Sequence, residues 1–141
     1  MNRNVAICRK CGDFLESVHV HHFVTCKCGA ISIDGGHDYG RYVGNPEDFL
    51  QPTEADIAEW DSIPTGLLED WRINEHPSGF TITGKIYQDK LKRFEDGETV
   101  RTSVVLSLVI FPGITIRTKG GSTYALGQQR SRLRKTIGGD N

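Results

Sequence analysis

From Ser78 onward the chain alternates apolar and polar residues with the two-residue period of a half-buried strand. "FTITGKIY" does so cleanly. "ETVRTSVVLSLVIF" places Val100, Val104, Leu106, Leu108 and Ile110 on one face of a strand, and "ITIRTK" turns Ile114 and Ile116 inward, with Arg117 and Lys119 on either side of Thr118. Asp96-Gly97, Pro112-Gly113 and Gly120-Gly121 punctuate these runs as turns. Gly120-Gly121 fits a two-residue hairpin, whose central residues both need positive φ. Residues 78–127 are therefore expected to form an antiparallel β meander or small barrel.

The pattern before this differs. Thr53 precedes "EADIAEW" with Asp56 three residues on, the signature of a capping box. Pro52 and Pro64 bracket a short helix, and "GLLEDWRI" predicts a further turn or two, with Ile57, Trp60, Leu67, Leu68 and Trp71 packing inward. Residues 45–77 thus read as an acidic helical linker. The tail, residues 128–141, has few apolar anchors and is expected to be mobile. The fold class is α+β: a zinc-ribbon-like module over residues 1–44, the helical linker, and the C-terminal β module.

Composition supports a water-soluble chain: 141 residues, 37% hydrophobic and 25% charged. The longest apolar run, Val104 to Phe111, is too short to span a bilayer. "MNRNVAICRK" lacks the apolar centre of a signal peptide, so a cytoplasmic location is expected. Net charge is −1 but uneven. Residues 1–44 carry five Lys/Arg against four Asp/Glu, residues 45–77 one against nine, and residues 78–141 eleven against five. The chain is no simple polycation for nucleic acid.

All four cysteines fall in "CRKCGDFLESVHVHHFVTCKCG". Cys8-x2-Cys11-Gly12 and Cys26-x-Cys28-Gly29 are compact pairs joined by the length of a hairpin. A short cysteine pair wraps backbone around a metal, and the glycine after it permits the tight turn. Four thiolates complete the tetrahedron that Zn²⁺ prefers, so Cys8, Cys11, Cys26 and Cys28 are the expected ligands of one structural zinc; disulfides or free thiols are the alternatives. Arg9, Lys10 and Lys27 stand where they can offset the thiolate charge.

His19, His21 and His22 lie between the pairs and read as exposed hairpin residues, as a second metal site, or as a ligand in place of one cysteine. No His-Glu-x-x-His is present, and no His-x-Glu precedes a cysteine pair. His37 beside Asp38 suggests a base with its orienting carboxylate, but no nucleophile accompanies them. No Gly-Lys-Ser/Thr follows the glycine pairs, so they form no phosphate loop. No catalytic residues are assigned.

Cys8, Cys11, Gly12, Asp13, then Cys26, Cys28, Gly29, then Asp34, Gly35, Gly36, Asp38, Tyr39 and Arg41 form a pattern. It resembles a group of small uncharacterised proteins encoded by phages and mobile elements. Thr83-Gly84-Lys85-Ile86-Tyr87, Asp96-Gly97, Thr102-Ser103 and Gly121 to Gly127 resemble a second small module of hypothetical bacterial and phage proteins. The resemblance implies a mobile-element context and a zinc-bound N-terminal module, and supplies no mechanism.

These readings lead to two functional expectations, and a third class, a zinc-dependent hydrolase or nuclease, would need an open metal position or a second site at the histidines. The first is a non-enzymatic, phage-type zinc protein that docks on a host protein or ribonucleoprotein complex and inhibits or redirects it. An anti-CRISPR protein acting in the host cytoplasm is one form of this. The acidic Glu54, Asp56, Glu59, Asp61, Glu69 and Asp70 would then steer association with a basic channel. The second is a nucleic-acid-binding zinc-ribbon protein, with Arg117, Lys119, Arg130, Arg132, Arg134 and Lys135 on phosphates.

Overall fold

"GLLEDWRI" forms a strand, not a helix, and the reason it imitates one is local. Residues Gly66–His76 are continuous β structure. Between Glu69 and Arg72 the pairing register with the neighbouring strand shifts, so Asp70 and Trp71 together face Gly84 alone. Asp70 takes a φ of 52° at this bulge. The extra residue lets Leu68 and Trp71 both bury in the same core although they are three apart in sequence. A spacing of three is the helical signature, so the bulge disguises the strand. Gly84 suits the position opposite it: a Cβ there would lie 3.1 Å from both the Glu69 carbonyl oxygen and Trp71 Cβ, tight enough that these neighbours would have to shift.

The computed structural model describes residues 3–130. The chain divides into two compact units, Met1–Ile63 and Pro64–Asn141. The acidic segment expected as a linker is thereby shared between them.

The first unit contains strands β1 (Asn4–Cys8), β2 (Phe14–Ser17), β3 (Val24–Thr25), β4 (Ile31–Asp34), β5 (Arg41–Gly44) and β6 (Phe49–Leu50). They form two three-stranded antiparallel sheets, ordered β2-β1-β6 and β3-β4-β5. Ala6, Leu15, Val24, Ile31 and Ile33 bury together with Cys8 and Cys26, so two of the cysteines are themselves core residues. A 3-10 turn, Pro46–Asp48, follows β5.

Helix α1 (Glu54–Ser62) closes this unit. Its capping box is complete: Thr53 Oγ1 accepts the Asp56 N–H at 3.1 Å, and the Asp56 carboxylate accepts the Thr53 N–H at 2.9 Å. Trp60 stacks on Phe14 at 4.4 Å, and its indole N–H donates to Glu16 at 2.8 Å. Glu16 also receives two bonds from Arg3, which reaches on to Asp61. Those two carboxylates, Asp61 foremost, push the Arg3 pKa up.

Among the described residues, the second unit forms one six-stranded sheet. Its strands are β7 (Gly66–His76), β8 (Gly79–Tyr87), β9 (Thr99–Arg101), β10 (Val105–Val109), β11 (Ile114–Thr118) and β12 (Thr123–Leu126), in the order β10-β11-β12-β7-β8-β9. Neighbours are antiparallel except β12 and β7, which pair in parallel. The run "ETVRTSVVLSLVIF" is thus two strands, and they are the two edges of the sheet. Only residues 102–104 join them, a span of roughly 10–14 Å at most. The sheet must therefore curl until its edges approach. Thr102 N–H bonding to the Ile82 carbonyl, and Lys119 N–H to Val104, hold that end.

Leu68, Trp71, Ile82, Ile86, Val105, Ile116, Tyr124 and Leu126 fill the interior. The expected apolar face of Val100, Val104, Leu106, Leu108 and Ile110 does not form. Val105 is the buried residue, a register shift follows it, and Leu106, Leu108 and Ile110 are exposed. Nor is Gly120-Gly121 a two-residue turn. The β11–β12 loop spans residues 119–122, and of the two glycines only Gly121, at φ 93°, has a left-handed backbone.

Outside the strands, Asp89 organises the connection from β8 to β9. Its fully buried carboxylate accepts from the Arg93 guanidinium at 3.1 Å and from the Arg93 N–H at 2.8 Å. Among the described residues, no helix is long and apolar enough to cross a membrane.

Candidate metal centre

Each cysteine pair sits on a turn that begins where a strand ends. Cys8 is the last residue of β1, and its carbonyl accepts the Gly12 N–H at 2.8 Å. Cys26 directly follows β3, and its carbonyl accepts the Gly29 N–H at 3.0 Å. Gly12 and Gly29 have φ of 77° and 80°. No atom within 4 Å would meet a Cβ at either position, so it is the left-handed backbone that asks for glycine there. The two turns are alike in construction although one pair is Cys-x2-Cys and the other Cys-x-Cys.

They bring all four Sγ atoms within 4.8 Å of one another. Cys8 and Cys28 are 3.7 Å apart and Cys26 and Cys28 are 3.6 Å apart. A disulfide would need roughly 2.05 Å. A tetrahedron of thiolates with metal–sulfur arms of about 2.3 Å has edges of about 3.8 Å, close to the observed separations. Cys8 and Cys26 are buried and Cys11 and Cys28 are exposed, so the cluster lies at the surface with its back to the core.

The backbone N–H groups around the cluster favour negative charge on sulfur. The Ile31 N–H points to Cys26 Sγ at 3.4 Å. Desolvation pushes the Cys11 thiol up, but backbone N–H groups of Asp13 and Cys28 and the neighbouring thiols bring it down to about 6. Cys28 shows the opposite balance. The Ala30 N–H pulls it down, yet desolvation and the other three sulfurs leave it pushed up to about 12. Four adjoining thiols cannot all ionise without a cation among them, and a metal ion supplies one.

The Asp13 carboxylate, next to the first pair, accepts the Lys27 N–H of the second at 3.0 Å. Its carbonyl accepts the Cys8 N–H at 2.9 Å. This residue was visible in "CGD" but its bridging role was not. Two of the basic residues near the cysteines find other partners: Arg9 donates to the Glu47 carbonyl at 2.8 Å, and Lys10 lies 3.8 Å from Asp48.

No histidine belongs to the cluster. His22 Nδ1 accepts the Val18 N–H at 3.0 Å, and the His19 and His22 rings lie 6.3 Å apart. The "DGGHDYGR" motif builds a loop. Asp34 accepts the Gly35 N–H and the Arg41 guanidinium, and the Gly36 N–H donates to Ser17. A Cβ on Gly36 would run into the His19 backbone.

The acidic candidates do not make one helical patch. Glu54, Asp56, Glu59 and Asp61 lie on α1, where Asp56 caps the helix and Asp61 pairs with Arg3. Glu69 and Asp70 lie on β7, where Glu69 accepts the Gln128 N–H and Asp70 pairs with Arg130 at 3.1 Å. Of the basic candidates, Arg117 and Lys119 are exposed and Arg130 is held by Asp70. Arg132, Arg134 and Lys135 lie outside the described residues.

A family model described as a domain of unknown function (DUF7695) matches residues 1–44, the segment that holds the four cysteines. No curated protein and no solved structure matches the chain.

Proposed function

We propose that the chain is a zinc-stabilised, non-catalytic protein of phage type that docks on a host ribonucleoprotein or protein complex and blocks it, as an anti-CRISPR protein does. The carrying observation is the convergence of Cys8, Cys11, Cys26 and Cys28 within 4.8 Å. Four protein thiolates around one ion fill the coordination sphere, which suits a structural site; a catalytic zinc keeps a position open for water or substrate. Zinc is the ion favoured by four soft sulfur ligands in a tetrahedron. The phage context rests on the sequence resemblance of residues 8–41.

The test is binding of the full chain to a purified CRISPR effector ribonucleoprotein, with plain duplex and single-stranded nucleic acid in parallel at two salt concentrations. Saturable binding to the effector with loss of its target cleavage, and none to plain nucleic acid, supports the reading. Steeply salt-dependent binding to plain nucleic acid, weakened by Arg117→Ala with Lys119→Ala, favours nucleic-acid binding instead. Both side chains are exposed beside the β11–β12 loop, which gives that alternative its footing.

A further inference from the structure

The second unit exposes an apolar arm. Leu106, Leu108, Val109, Ile110 and Phe111 are 61%, 49%, 57%, 70% and 82% exposed. Together they present on the order of 500 Å² of apolar surface, about as much as the largest patch on a typical monomer. They follow one another along β10 and the chain just after it, and β10 is an edge strand. Among the described residues, no strand pairs with its outer side.

Edge strands are usually protected by charge, proline or brevity, because their free N–H and C=O groups recruit other strands. The opposite edge follows that rule: β9 has three residues and includes Arg101. β10 does not. From Thr102 to Ile116 the sequence contains no charged residue.

We propose that β10 pairs antiparallel with β10 of a second copy of this chain, with Leu108 at the two-fold axis. An isologous pair closes on itself and consumes both free edges. The exposed run Leu106–Ile110 is centred on Leu108. In this register Leu108 faces Leu108 of the second copy, Leu106 faces its Ile110, and Ser107 faces its Val109. Every directly opposed pair is uncharged, and four of the five residues in each strand are aliphatic. Burying the arm from both copies removes about 1,000 Å², the area at which an interface becomes specific. The chain's own end is a poor substitute, since residues 131–141 carry Arg132, Arg134 and Lys135 and no apolar run. The inference stands apart from the metal centre and from any host partner.

Sedimentation of the full chain at concentrations on the order of 10–100 µM tests it, as suits an interface near that threshold. The wild-type chain is expected to be a dimer. Leu108→Lys and Leu108→Glu each place like charges opposite one another and should weaken association by about 100-fold or more. Ile73→Lys, at a residue 56% exposed on β7, should leave it unchanged. Mixing the Leu108→Lys and Leu108→Glu chains should restore a dimer containing one of each. Circular dichroism of each variant guards against misfolding. A monomeric wild-type chain, a dimer that survives Leu108→Lys, or two well-folded charge variants that fail to combine would each overturn the proposal.

Discussion

The Asp13 carboxylate accepts the backbone N–H of Lys27 at 3.0 Å, tying the first cysteine turn to the second. A metal ion would join the same two turns through sulfur, so the two links act on one geometry. Removing Asp13 frees the turns to drift before the ion arrives, and outer partners of this kind are worth about 10–100-fold in metal affinity. Asp13→Ala should show that loss in competition with a chromogenic chelator. Asp13→Asn keeps an acceptor and should lose less.

Metal analysis of the purified chain should give one zinc per molecule, and Cys26→Ser with Cys28→Ser should abolish it. Alanine at His19, His21 and His22 together should leave the zinc in place, since none of them joins the cluster. Chelation should act unevenly. Cys8 and Cys26 belong to the core of the first unit, so hydrogen exchange should accelerate at Gly12, Gly29 and Ile31 while Ile82 and Ile86 in β8 stay protected. Acidification should release the metal as well, because each ligand binds as a thiolate and protons compete for it more strongly as pH falls.

The clustering of the four cysteines was legible because its determinants are local: two cysteine pairs, each followed by a glycine with positive φ. The capping box of α1 was legible for the same reason. What escaped the sequence depends on the partner strand. The bulge at Asp70 exists only relative to β8, and it converts the alternation of a strand into the spacing of a helix. The exposure of Leu106, Leu108 and Ile110 follows from where the sheet ends, which a run of alternating residues does not state. Asp89 and Arg93 gave no signal beyond an ordinary charged loop.

The two glycines of the β11–β12 loop should respond differently. Gly121 has φ 93° with open space around it, so Gly121→Ala should cost about 1–2 kcal/mol through backbone strain alone. Gly120 lacks that conformation, and an added Cβ would meet the Ser103 hydroxyl at 3.2 Å. Gly120→Ala should therefore cost less, whereas Ser103→Ala should be destabilising in its own right, because the Ser103 hydroxyl accepts the Gly120 N–H at 2.9 Å. Urea unfolding of the four chains, including wild type, checks the order.

Asp89 carries the largest predicted loss in the second unit. Its carboxylate is fully buried and satisfies the N–H groups of Leu91, Arg93 and Phe94 as well as the Arg93 guanidinium. The Arg93 side chain is only 17% exposed, donates also to the Tyr124 hydroxyl at 3.4 Å, and lies 5.1 Å from the Phe94 ring centre. Burial pushes its pKa down, but Asp89 and Tyr124 together more than offset this and the net shift is upward. Asp89→Ala strands a largely buried cation and several N–H groups together, and should destabilise by about 3–5 kcal/mol. Arg93→Ala leaves the carboxylate its three backbone donors and should cost less. Removing both should cost less than the two single losses added, because the second removal takes away a charge the first had left unpaired. A double-mutant cycle by denaturant unfolding measures that coupling, and strict additivity would show that the backbone bonds to Asp89, not the ion pair, hold this loop.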